Sequence, residues 1–447
     1  MSTSAYKYTI GSTGNQKTFT LSGWFKICGI LDTAADGCFF SYYSTATNNP
    51  RSEIVVNNDL KIYVGINPSG LTWKTLIFPN RLRDPAAWYH MVFTYDTTES
   101  VEADRVKVYV NGNQITPDSG DYPSLNEDTG YFVSGDTMNI GKDGAAVYWS
   151  GNMAHVNITE GTAYAPTAFG EFDSTSGIWI PKSGPSVTYG DEGGFYKFDA
   201  DALTTDSSGS GNTLTSIGTP TPTKDNPENN FCTMNPLSNF DQNQTFSQGN
   251  NTIVSDVAAP AVATMGVETG KWYWECKAVA SSGTDFLTGV RSTQVMDSNA
   301  ENGYRANDWS YYGPTGNYLN NNTDTSYGDS YTVGDIIGVA LDVTNSKLYF
   351  SKGGVWQNSG VPTSGGTGTG AISITAVGST PLGLYTPAAG GWSSSVDYTW
   401  SFNFGNGYFG TTVVSSSESD DNGEGSFEYD VPAGYYALCS NNLGSES

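Results

Sequence analysis

The two histidines are the first residues to consider as catalytic groups, because histidine titrates near neutral pH. His90 lies in WYHMVF and His155 lies in MAHVNI, both within apolar runs typical of strands. A histidine in such a run is expected to be buried and hydrogen-bonded rather than to act as a catalytic base. The sequence also contains no GxSxG, HExxH, CxxC or phosphate-binding loop. These patterns predict that the chain is not an enzyme.

Closely spaced carboxylates are the other candidates, since glycoside hydrolysis uses a pair of them. Glu99, Glu102 and Asp104 lie in the turn-like segment TTESVEAD, and Asp191 and Glu192 lie in the loop GDEGG. A glycosidase needs its two carboxylates on one face of a concave sheet, and neither group has the alternating spacing of such a strand face. A polysaccharide-degrading enzyme is therefore an alternative and not the main prediction.

The charge balance limits the classes of partner. The 447-residue chain has 20 basic and 45 acidic residues, a formal net charge of −25. Nucleic acids and anionic membrane surfaces are bound by clustered Lys and Arg, so neither is an expected partner. The sequence shows no secretory signal and no run of about 20 apolar residues that could span a bilayer. We therefore expect no membrane insertion.

The five cysteines are scattered along the chain and odd in number. Their spacing fits neither a disulfide framework nor a zinc site, so reduced and packed thiols are expected. They are Cys28, Cys38, Cys232, Cys276 and Cys439.

Strands are the elements that must position these side chains. Short alternating or aromatic-rich runs recur between Gly, Asn, Asp and Ser turns, which is typical of sandwiches. Val106, Val108 and Val110 form one apolar face, and Asn111-Gly112 then predicts a hairpin turn. The predicted fold class is all-β, with two antiparallel β-sandwich (jelly-roll-like) domains joined by an extended linker.

The composition changes near Thr204, where a stretch poor in large apolar residues begins. We interpret 204–250 as an extended linker, pinned by Leu214 and Ile217, together with the start of the second module. The predicted domains are therefore 1–203 and 251–447.

The second domain resembles the SPRY family. The most specific match is GDIIGVALDVTNSKLYFSKGG, which follows the family's "D-x-I-G-x-x-L-D … L-x-F-x-x-N-G" hairpin, although Gly353 replaces the usual Asn. The other motifs, GKWYWECK, TGVRS, PLGLYTP and SFNFGNGYF, occur in the family's order. The resemblance implies a β-sandwich that binds partners.

The first domain resembles laminin-G/concanavalin-A-like sandwiches. FTLSGWFK, WYHMVFTYD, VKVYVNG, NIGK and WSGNMAHVNIT occur in the order that this family shows. Three further segments resemble virion proteins of tailed phages of the marine type. They are GTAYAPTAFGEFDSTSGIWIPK (161–182), NPENNFCTMNPLS (226–238) and FEYDVPAGYYALCSNNL (427–443).

The SPRY resemblance implies that loops at one end of the sandwich contact the partner. We therefore consider 307–329, where aromatic residues lie among Asn and Gly, and a second loop at 388–398. Such surfaces suit a protein or a sugar; alternatively, the aromatic side chains only cover the end of the sandwich. The candidate ligand-binding residues are Trp309, Tyr311, Tyr312, Tyr318, Tyr327 and Trp392.

The laminin-G resemblance implies one possible cofactor, a calcium ion held by oxygen ligands at a loop edge. The candidate ligands are Asp32, Asp36, Asp136 and Asp143. Aspartate is also common in solvated turns, so the alternative is that these carboxylates bind no metal.

Together the resemblances predict a phage virion structural or adhesion protein, either a tail fibre or a capsid knob or decoration. The expected partners are other capsid or tail proteins and a host surface glycan or protein, and self-association into a homo-oligomer is left open. The expected location is the virion, assembled in the host cytoplasm. The alternatives are a polysaccharide-degrading enzyme of the virion and a bacterial adhesin or scaffold.

Overall fold

A computed structural model describes residues 4–29, 37–44, 49–67, 73–144, 147–174, 176–238, 244–255, 260–283, 285–293, 301–392 and 397–445. The chain divides into two compact units, residues 1–222 and 223–447. The described residues form antiparallel sheets almost throughout, which confirms the predicted all-β class with two β-sandwich domains. Within the described ranges, no helix is long and apolar enough to cross a bilayer.

The first unit is built from two sheets. One is eight-stranded, in the order β10-β6-β5-β4-β3-β11-β1-β16, and the other is six-stranded, in the order β15-β12-β2-β7-β8-β9. Short 3-10 turns lie at Glu102–Asp104 and Pro166–Ala168, and β13 and β14 form a separate hairpin. The strands are β1 (Ala5–Thr9), β2 (Thr18–Ile27), β3 (Gly37–Ser44), β4 (Asn49–Val56), β5 (Lys61–Ile66), β6 (Lys74–Arg81), β7 (Trp88–Asp96), β8 (Val106–Val110), β9 (Asn113–Ile115), β10 (Ser119–Gly120), β11 (Thr137–Ile140), β12 (Gly151–Glu160), β13 (Gly170–Phe172), β14 (Trp179–Pro181), β15 (Gly194–Tyr196) and β16 (Thr215–Ile217).

Alternation along β2 and β7 decides what faces the core of this unit. Phe19, Leu21 and Phe25 point into the apolar core between the sheets. The intervening side chains point to the outer face of the six-stranded sheet, because successive strand residues face opposite sides. Trp24 and His90 therefore lie outside the main core.

The second unit is also built from two sheets. One is nine-stranded, with the path β17-β18-β30-β20-β25-β26-β27 to which β28 and β33 are added; the other is six-stranded, in the order β19-β29-β21-β22-β23-β24. Short 3-10 turns lie at Pro236–Ser238, Gln357–Ser359, Pro362–Thr367 and Val377–Ser379, and helix α1 spans Ser440–Ser445. The strands are β17 (Thr245–Ser247), β18 (Thr252–Ser255), β19 (Ala261–Val262), β20 (Lys271–Ser281), β21 (Phe286–Arg291), β22 (Asp308–Tyr312), β23 (Asn317–Asn320), β24 (Thr323–Ser326), β25 (Ile336–Asp342), β26 (Lys347–Lys352), β27 (Val355–Trp356), β28 (Ile372–Ser373), β29 (Thr386–Gly391), β30 (Tyr398–Asn403), β31 (Tyr408–Phe409), β32 (Thr412–Val413) and β33 (Tyr436–Ala437).

The core of this unit follows the same alternation. Trp272, Trp274 and Cys276 of β20 pack between the sheets. Tyr273 and Glu275 point to the outer face of the nine-stranded sheet, where a second apolar cluster covers them. All five cysteines of the chain are buried and none forms a disulfide in the described ranges.

The segment predicted as a linker contributes residues to both units. Strand β16 pairs with β1, with Ala5 opposite Ile217, and Leu214 is buried in the first core. Cys232 and Met234 are buried in the second core. The segment 204–250 is therefore shared between the two units, since Leu214 packs in the first core and Cys232 and Met234 pack in the second.

Candidate functional site

Three side chains of the second unit meet at one end of its six-stranded sheet. Tyr312 is the last residue of β22, Trp392 directly follows β29, and Asp285 directly precedes β21. Because β21 pairs with both β22 and β29, the ends of these strands lie side by side. The rings of Tyr312 and Trp392 are 5.1 Å apart at an angle of 37°. Both side chains are half-buried.

Asp285 fixes this aromatic pair. The Tyr312 hydroxyl donates to Asp285 Oδ1 at 3.1 Å, and the Trp392 backbone N–H donates to the Asp285 carbonyl at 3.0 Å. Burial and the Asp285 carboxylate raise the pKa of Tyr312, so its hydroxyl stays neutral and donates. Two half-exposed aromatic faces can stack on the apolar face of a sugar or on an apolar side chain. The neighbouring carboxylate can accept a hydrogen bond from the same ligand.

Three other predicted ligand-binding residues lie in the interior. Trp309, Tyr311 and Tyr327 are 3%, 0% and 6% exposed and belong to the core of the second unit. Tyr311 stacks on Phe350 at 5.2 Å and its hydroxyl donates to the carbonyl of Asp329. The expectation that these three face a ligand is corrected, because the predicted loop 307–329 contains the strands β22, β23 and β24.

Tyr318 takes an intermediate position. It is half-buried on β23, where it pairs with Thr325 of β24 and meets the Tyr327 ring edge-on at 6.1 Å. Its partner across β22 is the buried Tyr311, so it lies on the core side of the sheet. Of the six predicted ligand-binding residues, Tyr312 and Trp392 contact each other. Tyr318 instead packs beside the buried Tyr327.

The four calcium candidates do not form a described site. Asp32 and Asp36 lie outside the described residues. Asp143 Oδ1 accepts the Val147 N–H at 2.8 Å, and Asp136 is buried. Among the described residues, no group of three or more His, Cys, Asp or Glu side chains is placed to hold a metal ion.

His90 is buried on the outer face of the first unit's six-stranded sheet. The Trp179 indole N–H donates to His90 Nδ1 at 2.9 Å, so Nε2 carries the proton toward Ser22 Oγ, also at 2.9 Å. The ring stacks on Trp24 at 4.8 Å. Burial lowers the pKa of His90 from 6.5 to about 3, which keeps the imidazole neutral. This confirms the prediction for His90, whereas His155 is half-buried.

Trp179 belongs to the hairpin of β13 and β14, residues Gly170–Pro181, which we name the hairpin cover. Its indole contacts His90 and is met edge-on by Phe172 at 4.9 Å. The hairpin cover therefore shields the outer face of the six-stranded sheet. It falls within 161–182, the first segment that the sequence singled out without assigning a role.

Glu275 has the corresponding place in the second unit. The backbone N–H groups of Glu428 and Tyr429 each donate to its carboxylate at 2.9 Å. The Tyr273 hydroxyl and the Asn403 amide add hydrogen bonds at 3.1 and 3.2 Å. Burial raises the pKa of Glu275 to about 7 despite these donors. The only local signal for this arrangement is a charged residue inside an aromatic strand, WYWECK.

The segment that Glu275 holds, residues 427–439, is named the tail cover. Phe427, Tyr435 and Ala437 pack on Tyr273 and Tyr349 at the outer face of the nine-stranded sheet. Strand β33 adds to the sheet by pairing in parallel with β20. The third singled-out segment, 427–443, thus also has a structural role in the described chain.

The carboxylates considered for hydrolysis lie in two settings. Glu192 is buried, accepts the Gly11 N–H at 2.9 Å and accepts the N–H and hydroxyl of Ser12 at 2.6 and 2.7 Å. Glu102 and Asp104 lie in an exposed 3-10 turn, as the sequence predicts for a turn. Glu192 is thus held by a distant segment of the chain, whereas the turn is a local structure.

Two family models match the chain. Residues 2–165 match the Laminin_G_3 model of the concanavalin A-like lectin/glucanases superfamily, and residues 271–376 match the SPRY domain model. Ran-binding protein 9 of Danio rerio is 30% identical over 87 residues, covering 19% of this chain and 14% of that protein. Ran-binding protein 9 of Homo sapiens is 30% identical over 87 residues, covering 19% and 12%. The chain thus spans about a seventh of the length of the curated relatives it matches.

Solved structures are similar to parts of the chain at low identity. The SPRY domain of human HERC1 is 18% identical, with a TM-score of 0.27, and the match covers 34% of this chain and 87% of that one. A heptameric SAP-like pentraxin from Limulus polyphemus is 16% identical, with a TM-score of 0.29, and the match covers 48% and 88%. Both domain types that the family models identify are typically protein- or ligand-binding modules, which supports a binding role. The chain contains a concanavalin A-like domain of the laminin-G type followed by a SPRY domain.

Proposed function

We propose that this chain is a non-catalytic binding protein, and that its SPRY domain holds a ligand against the Tyr312–Trp392 pair. The observation that carries this proposal is the pair itself, with two half-buried rings 5.1 Å apart at one end of a sheet. Asp285 holds both residues by hydrogen bonds, so little side-chain freedom is lost when a ligand stacks on them.

The surroundings of the buried carboxylates favour binding over hydrolysis. Glu275 and Glu192 accept hydrogen bonds from backbone N–H groups that hold distant segments of the chain in place. A general acid or base must reach the substrate with a free proton-transfer site. These two side chains are buried and occupied, so their chemistry supports a structural role.

The ligand that fits best is a host surface glycan, because two aromatic rings beside a carboxylate match a sugar ring and its hydroxyl groups. The wider proposal places the chain in a phage particle, as a tail fibre or a capsid knob or decoration. It rests on the resemblance of 161–182, 226–238 and 427–443 to virion proteins. Mass spectrometry of purified particles from the same source tests it, and absence of the protein from them would contradict it.

The direct test of the aromatic pair is a glycan array probed with the full chain and with Trp392→Ala. One lost stacking contact is worth about 1.5 kcal/mol, so binding to any recognised glycan should weaken roughly tenfold. Trp73→Ala is a matched control, since Trp73 is a partly exposed tryptophan of the first unit. Equal loss of binding in both variants, or unchanged binding in Trp392→Ala, would rule out this surface.

A further inference from the structure

Tyr312 lies on the outer face of the six-stranded sheet of the SPRY domain, on the same side as an exposed carboxylate. Its neighbour Tyr311 is buried in the core, so Tyr312 points away from the core. Asp324 of β24 shares this outer face, because strand pairing places it in line with Ser310, two residues before Tyr312. The side chain of Asp324 is exposed, so its charge can act on a ligand bound at this face.

Several carboxylates act on the Tyr312 hydroxyl. Asp285 Oδ1 accepts its hydrogen bond at 3.1 Å, and the Asp285 side chain is half-buried. Burial raises the pKa of Tyr312 most, and the negative charge of Asp285 raises it further. The charges of Asp324 and Glu301 add to this effect. The aromatic pair therefore lies in a region of negative potential.

The arginine side chains of this face interact with a different carboxylate. Arg291 and Arg305 both act on Asp308, and Arg291 Nη2 lies 3.6 Å from Asp308 Oδ2. Asp308 is the first residue of β22, whereas Tyr312 is the last. The unit as a whole is also acidic, since 223–447 contains 7 basic and 22 acidic residues, a net charge of −15. The negative charge at the aromatic pair is thus in keeping with that of the whole unit.

Aromatic rings beside carboxylates favour a positively charged ligand. A cation near the face of a tryptophan or tyrosine ring is attracted by the electrons of the ring. An ammonium group also forms charge-assisted hydrogen bonds with a carboxylate, which are stronger than those of a neutral hydroxyl. An acidic or sulfated sugar would be repelled by the same carboxylates. The surroundings of Tyr312 and Trp392 therefore distinguish between ligands by their charge.

A sugar ring with a free amino group satisfies both conditions. Its C–H face can stack on the aromatic rings while its ammonium group donates to Asp285. A rigid ring also loses less conformational freedom on binding than a lysine side chain does. We propose that the Tyr312–Trp392 pair binds amino sugars with a free ammonium group in preference to N-acetylated or neutral sugars. This inference rests on the proposed function and names the class of glycan.

The test compares two oligosaccharides of equal length, the glucosamine hexamer and the N-acetylglucosamine hexamer. Acetylation converts each ammonium group into a neutral amide, so the two probes differ in charge. Both are titrated into the full chain by calorimetry, in a mildly acidic buffer that keeps the amines protonated. We expect the glucosamine hexamer to bind about tenfold more tightly. Trp392→Ala should weaken the binding of both probes.

Asp285→Asn isolates the effect of charge. Its amide oxygen can still accept the hydrogen bond of Tyr312, and its main-chain carbonyl can still accept that of Trp392, so the pair should keep its position. The preference for the glucosamine hexamer should fall from about tenfold to about twofold. Asp324→Asn is a second variant at an exposed residue. It should reduce the preference less, because Asp324 lies two strands away from β22 and its charge is screened by salt.

Glu268→Gln is the matched control for loss of one negative charge from the same unit. Glu268 is exposed and follows Val267, which forms a bridge with Tyr385. Tyr385 directly precedes β29, whereas Trp392 directly follows it, so Glu268 lies at the opposite end of this strand. The substitution should leave the preference unchanged.

The possible failures separate this inference from the proposed function. Equal or tighter binding of the N-acetylglucosamine hexamer, weakened by Trp392→Ala, would overturn the preference and leave the proposed function standing. Binding of the glucosamine hexamer that Trp392→Ala does not weaken would indicate general attraction to an acidic protein, and both ideas would fail. A lysine hexapeptide is the third probe; if it binds more tightly than the glucosamine hexamer, the ligand is a protein and the inference is wrong. No binding of the glucosamine hexamer would also overturn it.

Discussion

Each unit covers the outer face of one sheet with a later segment of its own chain, and the two units fasten that segment with opposite chemistry. In the first unit the hairpin cover is held by His90, a neutral base stacked among tryptophans. In the second unit the tail cover is held by Glu275, a buried acid that accepts four hydrogen bonds.

The difference shows what a buried titratable group requires of its surroundings. A neutral imidazole needs one donor and one acceptor, and Trp179 and Ser22 supply them. A buried carboxylate must recover the hydration that it loses, so it needs several N–H and O–H donors. Those donors come partly from the backbone of the tail cover. The hydrogen bonds of Glu275 therefore fix the main chain of the tail cover, whereas those of His90 fix one side chain of the hairpin cover.

The largest effect is expected from Glu275→Ala. The substitution leaves the N–H groups of Glu428 and Tyr429 without their acceptor. Because each unsatisfied buried donor costs about 1–3 kcal/mol, the free energy of unfolding of the second unit should fall by about 4 kcal/mol. Urea denaturation measures it. Glu268→Ala, at an exposed glutamate, is the control and should change stability little.

A comparison of hydrogen exchange in the same variants would locate the effect. The substitution Glu275→Ala should lower the hydrogen-exchange protection of amides in the tail cover more than that of amides in the core strand β25. The reason is that the tail cover can open locally without global unfolding. If both regions lose protection equally, Glu275 supports the whole unit rather than its cover, and the proposed parallel between the units would be lost.

A smaller effect is expected from Trp179→Ala in the first unit. The indole packs on His90 and Phe172 and is 8% exposed, so its removal should cost about 3 kcal/mol. Trp179→Phe keeps a ring but not the N–H donor to His90, and should cost about half as much. Thermal unfolding monitors both variants. Equal losses would mean that the hydrogen bond, and not ring packing, fastens the hairpin cover.

The smallest effect is on pH dependence, where the two units should respond in opposite directions. His90 has a pKa of about 3 when folded and 6.5 when unfolded, so its contribution is present above pH 6.5 and is lost as pH falls toward 3. Glu275 has a pKa of about 7 when folded and 4.5 when unfolded, so its contribution is present below pH 4.5 and is lost as pH rises through 7. Each slope is at most about 1.4 kcal/mol per pH unit.

Scanning calorimetry of the full chain between pH 4.5 and 6.5 measures both slopes. The transition of the first unit should move to lower temperature on acidification, and that of the second unit to higher temperature. Glu275→Gln should flatten only the second slope. Two transitions that shift in the same direction would show that other titrating groups outweigh this pair.

The strands were predictable from the sequence where alternation is local. WYHMVFTYD coincides with β7, and Asn111-Gly112 forms the expected turn with φ of 47° and 79°. The pattern around Trp309 and Tyr311 was also strand-like, with Ser310 and Tyr312 between them. Their aromatic side chains among Asn and Gly nevertheless led to the prediction of a loop. The packing of these side chains in the core between the two sheets cannot be read from the neighbouring residues in the sequence.

The candidate site and the two covers were less predictable for a physical reason. Tyr312 and Trp392 meet only because β21 pairs with both of their strands, and register between distant strands is a tertiary property. Glu275 and the tail cover are likewise joined by contacts between residues far apart in the chain. Sequence reasoning identified the segments but could not assign their partners.

The pairing of first and last segments in each unit affects how the chain folds. Strand β1 pairs with β16, and Phe231 forms a bridge with Cys439, so each unit is closed by contacts between its two ends. Bringing such distant segments together costs conformational entropy before the contacts that offset this cost have formed. We therefore expect each unit to fold slowly, and to finish folding only after it has been synthesised in full. It also brings the ends of each unit together, the arrangement that lets a domain be inserted into a surface loop of another protein.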